Sequence, residues 1–342
     1  MLTKKINVLV AGATGFVGLD LVLILSKHRS VCIKYLCAQK NIGKSINSFD
    51  SRIKKQLPRI SKLSNAKFNK IDLVFLSLPT GEAQKLIKKL FVFKNLKFID
   101  LSADFRLTNP VSFRKFYKKK HIANNIINHS KYSVAEFVKK DIKKYRIIGN
   151  PGCYPTSIQL ALVPLIKKRI IKFNNIIIDS KSGYSGAGKQ FKKKFKHKNI
   201  MQSIHAYGPT IHRHVAEIDQ EFNTLNNNVS FTFNPHLIPT FRGLLSSIYI
   251  EAKNNININN LYLCLKVFYK NNNFVRIQKN NKKIGTANVI NTNYCDISVC
   301  NTRYKNKFVI YSAIDNLIKG ASGQAVQNMN LMFNFKETEG LK

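Results

Sequence analysis

Seven residues near the N-terminus, Gly12-Ala13-Thr14-Gly15-Phe16-Val17-Gly18, limit most sharply what this chain can become. They follow a short apolar run at 6–11 (INVLVA) and precede a stretch at 19–26 that reads as a helix. A glycine turn between a strand and a helix is where a dinucleotide is held. Glycine permits the tight turn and lets the backbone approach the pyrophosphate, which rests on the helix N-terminus. The residues expected to touch such a cofactor are Gly12, Thr14, Gly15, Phe16, Val17 and Gly18. A plain tight turn is the competing reading. The spacing is GxxGxxG, a variant common in NADP-dependent folds. After a second strand-like run at 31–37 no acidic residue follows to hold a ribose 2′-hydroxyl; Gln39, Lys40 and Lys44 stand there instead. Cations favour a 2′-phosphate, so NADP(H) is the expected cofactor, with Lys40 among its contacts.

Further apolar runs at 72–78 and 97–101 flank a helical stretch at 81–90. Strand alternating with helix implies parallel βαβ units with helices on both faces, an α/β, Rossmann-type domain. After about residue 150 the pattern changes. A long apolar helix at 157–168 is followed by strand-like runs at 175–180, 229–234, 244–252, 284–289 and 295–299, which suggests an α+β domain with a mainly antiparallel sheet. The segment 254–260 (NNININN) reads as a polar loop, and 313–334 regains a helical rhythm through Ile314, Leu317, Ile318, Ala321, Ala325 and Val326. No internal repeat is present. A chain of 342 residues suits two such domains.

Composition narrows the function classes. The 44% of hydrophobic residues is enough for sizeable cores. No apolar run reaches the roughly 18 residues of a membrane span. The N-terminus enters the first strand with no cleavage site, so a cytoplasmic protein without membrane attachment is expected. Six scattered cysteines, none spaced CxxC, indicate neither a zinc site nor a disulfide framework. The formal charge of +40 would suit a nucleic-acid partner. The lysines, however, spread along the whole chain in short runs such as 118–120, without the aromatic interleaving of a single-strand binder. Compositional bias explains them better, although an anionic substrate would still be drawn in by the field.

The chemistry concentrates in three segments. Gly149-Asn150-Pro151-Gly152-Cys153-Tyr154-Pro155-Thr156 opens the long apolar helix. Two glycines and two prolines around one cysteine describe a sharp, fixed entry, with Pro155 suited to the first turn. The free N–H groups and positive dipole end there would lower the thiol pKa and could hold a developing oxyanion. A buried, inert cysteine is the alternative; the turn chemistry favours the nucleophile. His212-Arg213-His214 with Glu217 gathers two imidazoles, a guanidinium and a carboxylate in six residues. One histidine could move protons with the carboxylate orienting it, and Arg213 could grip an anion. A metal site would lack a third clear ligand. The third segment, Ser182-Gly183-Tyr184-Ser185-Gly186-Ala187-Gly188-Lys189, has GxxxxGK spacing, but Gln190 stands where a P-loop needs the magnesium-binding Ser or Thr. A loop closing over substrate or nicotinamide fits better, with a simple surface turn as the alternative.

Taken together, GNPGCYPT (149–156), GATGFVG (12–18), LSADFRL (101–107), SGYSGAGK (182–189), HRHVAEI (212–218), NPHLIPTFRG (234–243) and KGASGQAVQN (319–328) resemble the N-acetyl-γ-glutamyl-phosphate reductases of arginine biosynthesis along essentially the whole chain. The resemblance implies an NADP-binding domain at 1–150, joined by a C-terminal helix within about 313–342. It also implies a catalytic and subunit-contact domain at 151–312, and a homo-oligomer, dimer or tetramer. The substrate implied is a small acyl phosphate, reduced through a thioester on Cys153. His212 would be the acid–base group and His214 the less favoured one, with Glu217 orienting or binding substrate. Arg106, Asn150, Arg213 and His214 would face the substrate. Ser185, Gly186, Gly188 and Asn316 would lie near the cofactor, with Gly323 close by. HRHVAEI departs from the family in its Val-Ala, where a proline is frequent.

Carrier-linked aminoadipyl or glutamyl phosphate reductases are the nearest alternative, since a basic surface suits an acidic carrier. Short-chain dehydrogenases share GATGFVG, but their Tyr-x-x-x-Lys spacing occurs here only at Tyr249–Lys253 and Tyr262–Lys266, in unsuitable places. An NADP-binding or nucleic-acid-binding regulator is the non-enzyme alternative.

Overall fold

The computed structural model describes residues 5–139, 141–189, 199, 202–209 and 211–341. The chain divides into two compact units, Met1–Pro151 with Ala321–Lys342, and Gly152–Gly320.

The first unit runs β1 (Ile6–Ala11), α1 (Phe16–Ser26), β2 (Val31–Cys37), β3 (Ile60–Ser61), β4 (Leu73–Leu76), α2 (Glu82–Leu90), β5 (Lys97–Asp100), α3 (Pro110–Tyr117), β6 (Ser130–Tyr132), α4 (Ala135–Val138) and β7 (Ile147–Gly149). Its seven strands lie in the order β3-β2-β1-β4-β5-β7-β6 and pair in parallel throughout. The central stretches VLVA at 8–11 and LVFL at 73–76 are continuously apolar because both faces are buried. Val8, Val10 and Phe75 enter one core cluster, while Leu9, Ala11, Val74 and Phe98 enter another. The helix Gly323–Met332 returns to this unit, adding Val326, Met329 and Met332 to the cluster that holds Val8 and Val10. Strand order reverses at β1, with β2 on one side and β4 on the other, so the glycine turn leaves the sheet at its switch point. The first helix starts at Phe16, three residues earlier than the apolar rhythm alone indicates, because Gly18 is already inside its first turn.

The second unit runs α5 (Cys153–Lys167), β8 (Ile176–Gly183), β9 (His205–Ala206), α6 (Val215–Leu225), β10 (Phe231–Ile238), β11 (Leu244–Glu251), α7 (Ile258–Phe268), β12 (Val275–Ile277), β13 (Cys295–Asn301) and β14 (Lys307–Ile314). The strand order is β12-β13-β14-β11-β8-β10-β9. Pairing is antiparallel except for β8 with β10 and β12 with β13. Helix α5 is buried from Tyr154 to Ile166 and packs on β11, β14, α6 and α7. It meets the sheet through short hydroxyls: Ser157 Oγ lies 3.0 Å from both Ser246 Oγ and Ser312 Oγ, and Ser180 donates to Ser246 (2.8 Å). Small, mutually satisfied side chains let helix and sheet approach closely without an unpaired buried group.

Three sequence expectations change. Residues 284–289 are not a strand but a loop with a 3-10 turn at Thr286–Asn288; the edge strand is β12, only three residues long. The polar loop 254–260 gives way to α7, whose Asn257 and Asn260 form a reciprocal cap. Asparagine in both places disguises a pattern usually written with Ser/Thr and Glu/Gln. The helical rhythm from 313 begins too early. Residues 307–314 (KFVIYSAI) form a central strand, a π-type turn follows at Ile318–Ser322, and the α-helix starts only at Gly323.

Candidate active site

Cys153 is the first residue of α5, after Gly152 in an extended conformation (φ −71°, ψ 162°). The first helical bond is Thr156 N–H to the Gly152 carbonyl (3.0 Å), and Pro155 has no N–H to offer. The amides of Cys153 and Tyr154 therefore lie outside the helix ladder, at the positive end of the dipole, with no acidic residue in the first turn. The Gly152 N–H donates to Glu217 Oε2 (2.9 Å), and Gln159 Nε2 donates to the Glu217 carbonyl (3.0 Å). The fully buried carboxylate of Glu217 thus clamps α6 to the start of α5.

His214 sits over the same glycine. A Cβ on Gly152 would lie 2.4 Å from its Nε2, and that nitrogen is 3.9 Å from Glu217 Oε1. The backbone N–H of His214 donates to His212 Nδ1 (3.1 Å), so a neutral His212 carries its proton on Nε2. The His212 ring packs edge-on against Tyr154, Tyr207, Phe233 and His214, with centroids 4.8 to 5.7 Å apart. Burial, then the Arg213 charge, pushes its pKa from 6.5 down to about 4. The unfolded chain therefore takes up this proton first as pH falls. The stability His212 contributes is complete above pH 6.5 and drains away toward pH 4. Unfolding measured across that window is expected to show a decline that His212→Gln, uncharged at every pH, lacks; parallel curves would remove His212 as its cause.

Gly320 forms another wall: a Cβ there would lie 2.6 Å from Cys153 Cβ. Nearby in sequence, Asn316 Nδ2 donates to Ser185 Oγ (2.9 Å), and a Cβ on Gly186 would lie 3.7 Å from the same Nδ2. Ser185, Gly186 and Asn316, expected at the cofactor, are thus brought together by direct contact, while Gly188 (φ 80°) has open space around its Cα. Tyr154 and Tyr207, unremarked in the sequence, belong here too. Tyr207 Oη donates to Tyr154 Oη (3.2 Å), which donates to the His236 carbonyl (3.0 Å). Tyr154 was legible as part of GNPGCYPT; Tyr207 carried no signal.

In the first unit the glycine turn suits a pyrophosphate. Gly12 has φ 84°, and a Cβ there would lie 2.1 Å from the Ser77 carbonyl oxygen; one on Gly18 would meet the Gly12 carbonyl oxygen at 2.2 Å. Gly15, the N-cap of α1, makes no side-chain cap bond, and α1 has no acidic residue in its first turn. Thr14, Phe16 and Val17 keep partial exposure. Lys40 and Lys44 stand exposed on the loop leaving β2, the neighbour of β1. Arg106 and Asn150 find each other: Arg106 donates to the carbonyls of Asn150 (2.8 Å) and Leu101 (3.1 Å). The fully buried Asn150 donates to the Ala321 carbonyl (3.1 Å) and accepts from Asn328 (3.2 Å). Arg213 is exposed.

Family models described as the semialdehyde dehydrogenase NAD binding domain and dimerisation domain match residues 7–145 and 153–316. The chain is 41% identical over 340 residues to a probable chloroplastic N-acetyl-gamma-glutamyl-phosphate reductase of Arabidopsis thaliana, covering 99% of this chain and 84% of that one. It is 41% identical over 345 residues to the N-acetyl-gamma-glutamyl-phosphate reductase of Ehrlichia ruminantium (strain Gardel), covering 99% and 98%. The chain belongs to the N-acetyl-gamma-glutamyl-phosphate reductase family. It is an oxidoreductase of the semialdehyde dehydrogenase type. Its fold is also that of aspartate semialdehyde dehydrogenase II from Vibrio cholerae, with a TM-score of 0.73 at 17% identity over 97% of this chain and 99% of that one. The family's dimerisation model begins at Cys153 and ends at Asn316, so Cys153, both histidines, Glu217 and the Ser182–Lys189 loop all fall inside it.

Proposed function

We propose that the chain reduces N-acetyl-L-glutamyl 5-phosphate to N-acetyl-L-glutamate 5-semialdehyde with NADPH, in arginine biosynthesis, through a thioester on Cys153. The observation that carries this reading is Cys153 at the first position of α5, with His214 and Glu217 gathered on the adjacent Gly152. The Cys153 sulfur attacks the acyl carbon; the C–S bond forms as the C–O bond to phosphate breaks, and phosphate leaves with the electron pair. The amides of Cys153 and Tyr154 stabilise the charge that develops on the acyl oxygen. When bound, the cofactor supplies a hydride to the thioester carbon. Hydride addition leaves a hemithioacetal alkoxide, whose oxygen electrons re-form the carbonyl as the C–S bond breaks, releasing the semialdehyde and Cys153 as thiolate.

The two histidines divide the proton work. His212, first choice on sequence, is held neutral with Nδ1 already accepting, so it acts as an Nε2–H donor to the substrate oxygen. His214, nearest Glu217, moves the proton. Arg213, exposed beside them, meets the substrate anion, whereas Arg106 and Asn150 shape their own loop. Gly12 to Gly18 hold the pyrophosphate and Lys40, with Lys44, a 2′-phosphate.

The dimerisation domain supports a homo-oligomer. We propose a dimer through the sheet face opposite α5, where Ile177 and Tyr249 pair across β8 and β11 and stand 48% and 43% exposed. Changing both to aspartate is expected to give a monomer in sedimentation; an unchanged mass would exclude this face. No helix among the described residues is long and apolar enough to cross a membrane, and a cytoplasmic location is part of the proposal.

NADPH oxidation with N-acetyl-glutamyl phosphate tests the function directly, and turnover with NADH at equal efficiency would sink the role of Lys40 and Lys44. A carrier-linked acyl phosphate is the second reading. It is favoured by Arg114, Lys115, Lys118, Lys119 and Lys120, which line one cavity of about 470 Å³. Preference for the carrier-linked substrate in the same assay would select it.

A further inference from the structure

We propose that Asp315, paired with Arg242, is a positioning residue that sets the wall behind Cys153. The proposal rests on the reading of Cys153 as nucleophile. Asp315 follows directly on β14, and its carboxylate is fully buried. Oδ1 accepts from the Leu317 N–H (2.8 Å) and the Ile318 N–H (3.1 Å), and Oδ2 accepts from the Asn291 N–H (2.7 Å). The Arg242 guanidinium lies 3.4 Å from Oδ2. So complete a set of donors holds the carboxylate, and with it the backbone of residue 315, in one place.

That backbone in turn fixes Gly320. The Asp315 carbonyl accepts from the Gly320 N–H (3.0 Å), a five-residue step that belongs to a π-type turn and not to an α-helix. The wider turn brings residue 320 against the nucleophile. A Cβ there would lie 2.6 Å from Cys153 Cβ and 3.1 Å from its Cα, so only glycine fits. Such turns recur at functional sites.

The same residues grip the glycine-rich loop. Asn316 Oδ1 accepts from the Gly243 N–H (2.9 Å), and its Nδ2 donates to Ser185. The segment that carries Arg242 bonds the loop through Gly183 N–H to the Gly243 carbonyl (2.8 Å) and Tyr184 N–H to the Thr240 carbonyl (2.9 Å). One ion pair therefore ties together the turn that touches Cys153 and the Ser182–Lys189 loop. Stability alone does not demand it, since a buried ion pair can often be replaced by neutral residues at no loss.

The test separates position from stability. Asp315→Asn alone removes the charge that faces Arg242 and one acceptor for the backbone N–H groups of Asn291, Leu317 and Ile318, and is expected to lower the melting temperature. The double variant Asp315→Asn with Arg242→Gln removes both charges and is expected to recover the part of that loss due to the uncompensated charge, while the backbone N–H that an amide NH2 cannot accept from accounts for the rest. Its kcat should nevertheless stay about 100-fold down with KM changed less than about threefold, the scale of a small misplacement of reacting groups. Alkylation of Cys153 by iodoacetamide should change in rate along with kcat. A folded double variant with wild-type kcat and wild-type alkylation would overturn the proposal. Should it fail to fold, Gly320→Ala keeps the ion pair and presses on Cys153 directly. It is expected to show the same kcat loss and altered alkylation, and wild-type values for both would equally overturn the proposal. Cys153→Ser, run alongside, fails the nucleophile reading if it stays active, whereas the alkylation rates report on the wall whatever that outcome.

Discussion

Cys153→Ser is expected to lower kcat by at least about 10³-fold, and to leave the melting temperature within about 1 °C of the parent, because a nucleophile acts in the transition state and contributes little to folding. The change swaps sulfur for oxygen in a half-buried side chain, so packing around the start of α5 is nearly conserved. What is lost is chemical. A serine hydroxyl remains protonated where a thiol ionises readily, and the helix-end amides cannot close that gap. Even a serine acyl-enzyme would be an oxygen ester, a poorer hydride acceptor than a thioester. Steady-state oxidation of NADPH measures the effect, and retention of more than about a tenth of the activity would end the covalent mechanism.

Gly152→Ala carries the second-largest expected loss, for a different reason. The backbone there is extended, a conformation alanine adopts freely, so the substitution has no conformational penalty of its own. Its methyl group, however, would lie 2.4, 2.7 and 2.8 Å from three atoms of the His214 ring. Either the ring swings away from Glu217 or the helix entry shifts. Displacing a proton carrier is expected to reduce kcat by about 10²-fold or more. A cycle with His214→Ala isolates the cause. With the ring gone the methyl group has room, so the double variant should be no slower than His214→Ala alone. If Gly152→Ala reduces kcat by the same factor in both backgrounds, steric displacement of His214 is not its origin.

Much of the fold was readable because the first unit obeys simple rules. Strands buried on both faces must be continuously apolar, and the stretches VLVA at 8–11 and LVFL at 73–76 are; glycine must fill a turn whose Cβ positions fall on carbonyl oxygens, and Gly12 and Gly18 do. The second unit was harder. β12 is too short to show a period, α7 is capped by asparagines that look like loop, and β14 shares Ile314 with a helical rhythm that starts in earnest only past the π-type turn. In the site, Gly152 and Pro155 mark the helix entry by local chemistry. The bond between Gly152 and Glu217 spans 65 residues and depends on how α5 meets α6, which no local pattern records. For the same reason the bonds that tie the Asn150 amide to Ala321 and Asn328, 171 and 178 residues away in sequence, could not be read locally. Arg242 and Asp315 stand in quoted segments or beside them, yet only the paired geometry gives them a task.

The first unit is built from both ends of the chain, and this sets an order of events during synthesis. Val326, Met329 and Met332 fill the cluster that contains Val8, Val10 and Leu21. On the ribosome, the strands β1 to β7 emerge early, but the helix that seals one of their faces is translated after the whole of the second unit. Until then an apolar surface of the parallel sheet stays open, so the unit that starts first closes last. A nascent chain of this design depends on the second unit folding promptly, or on a chaperone shielding that surface while it waits.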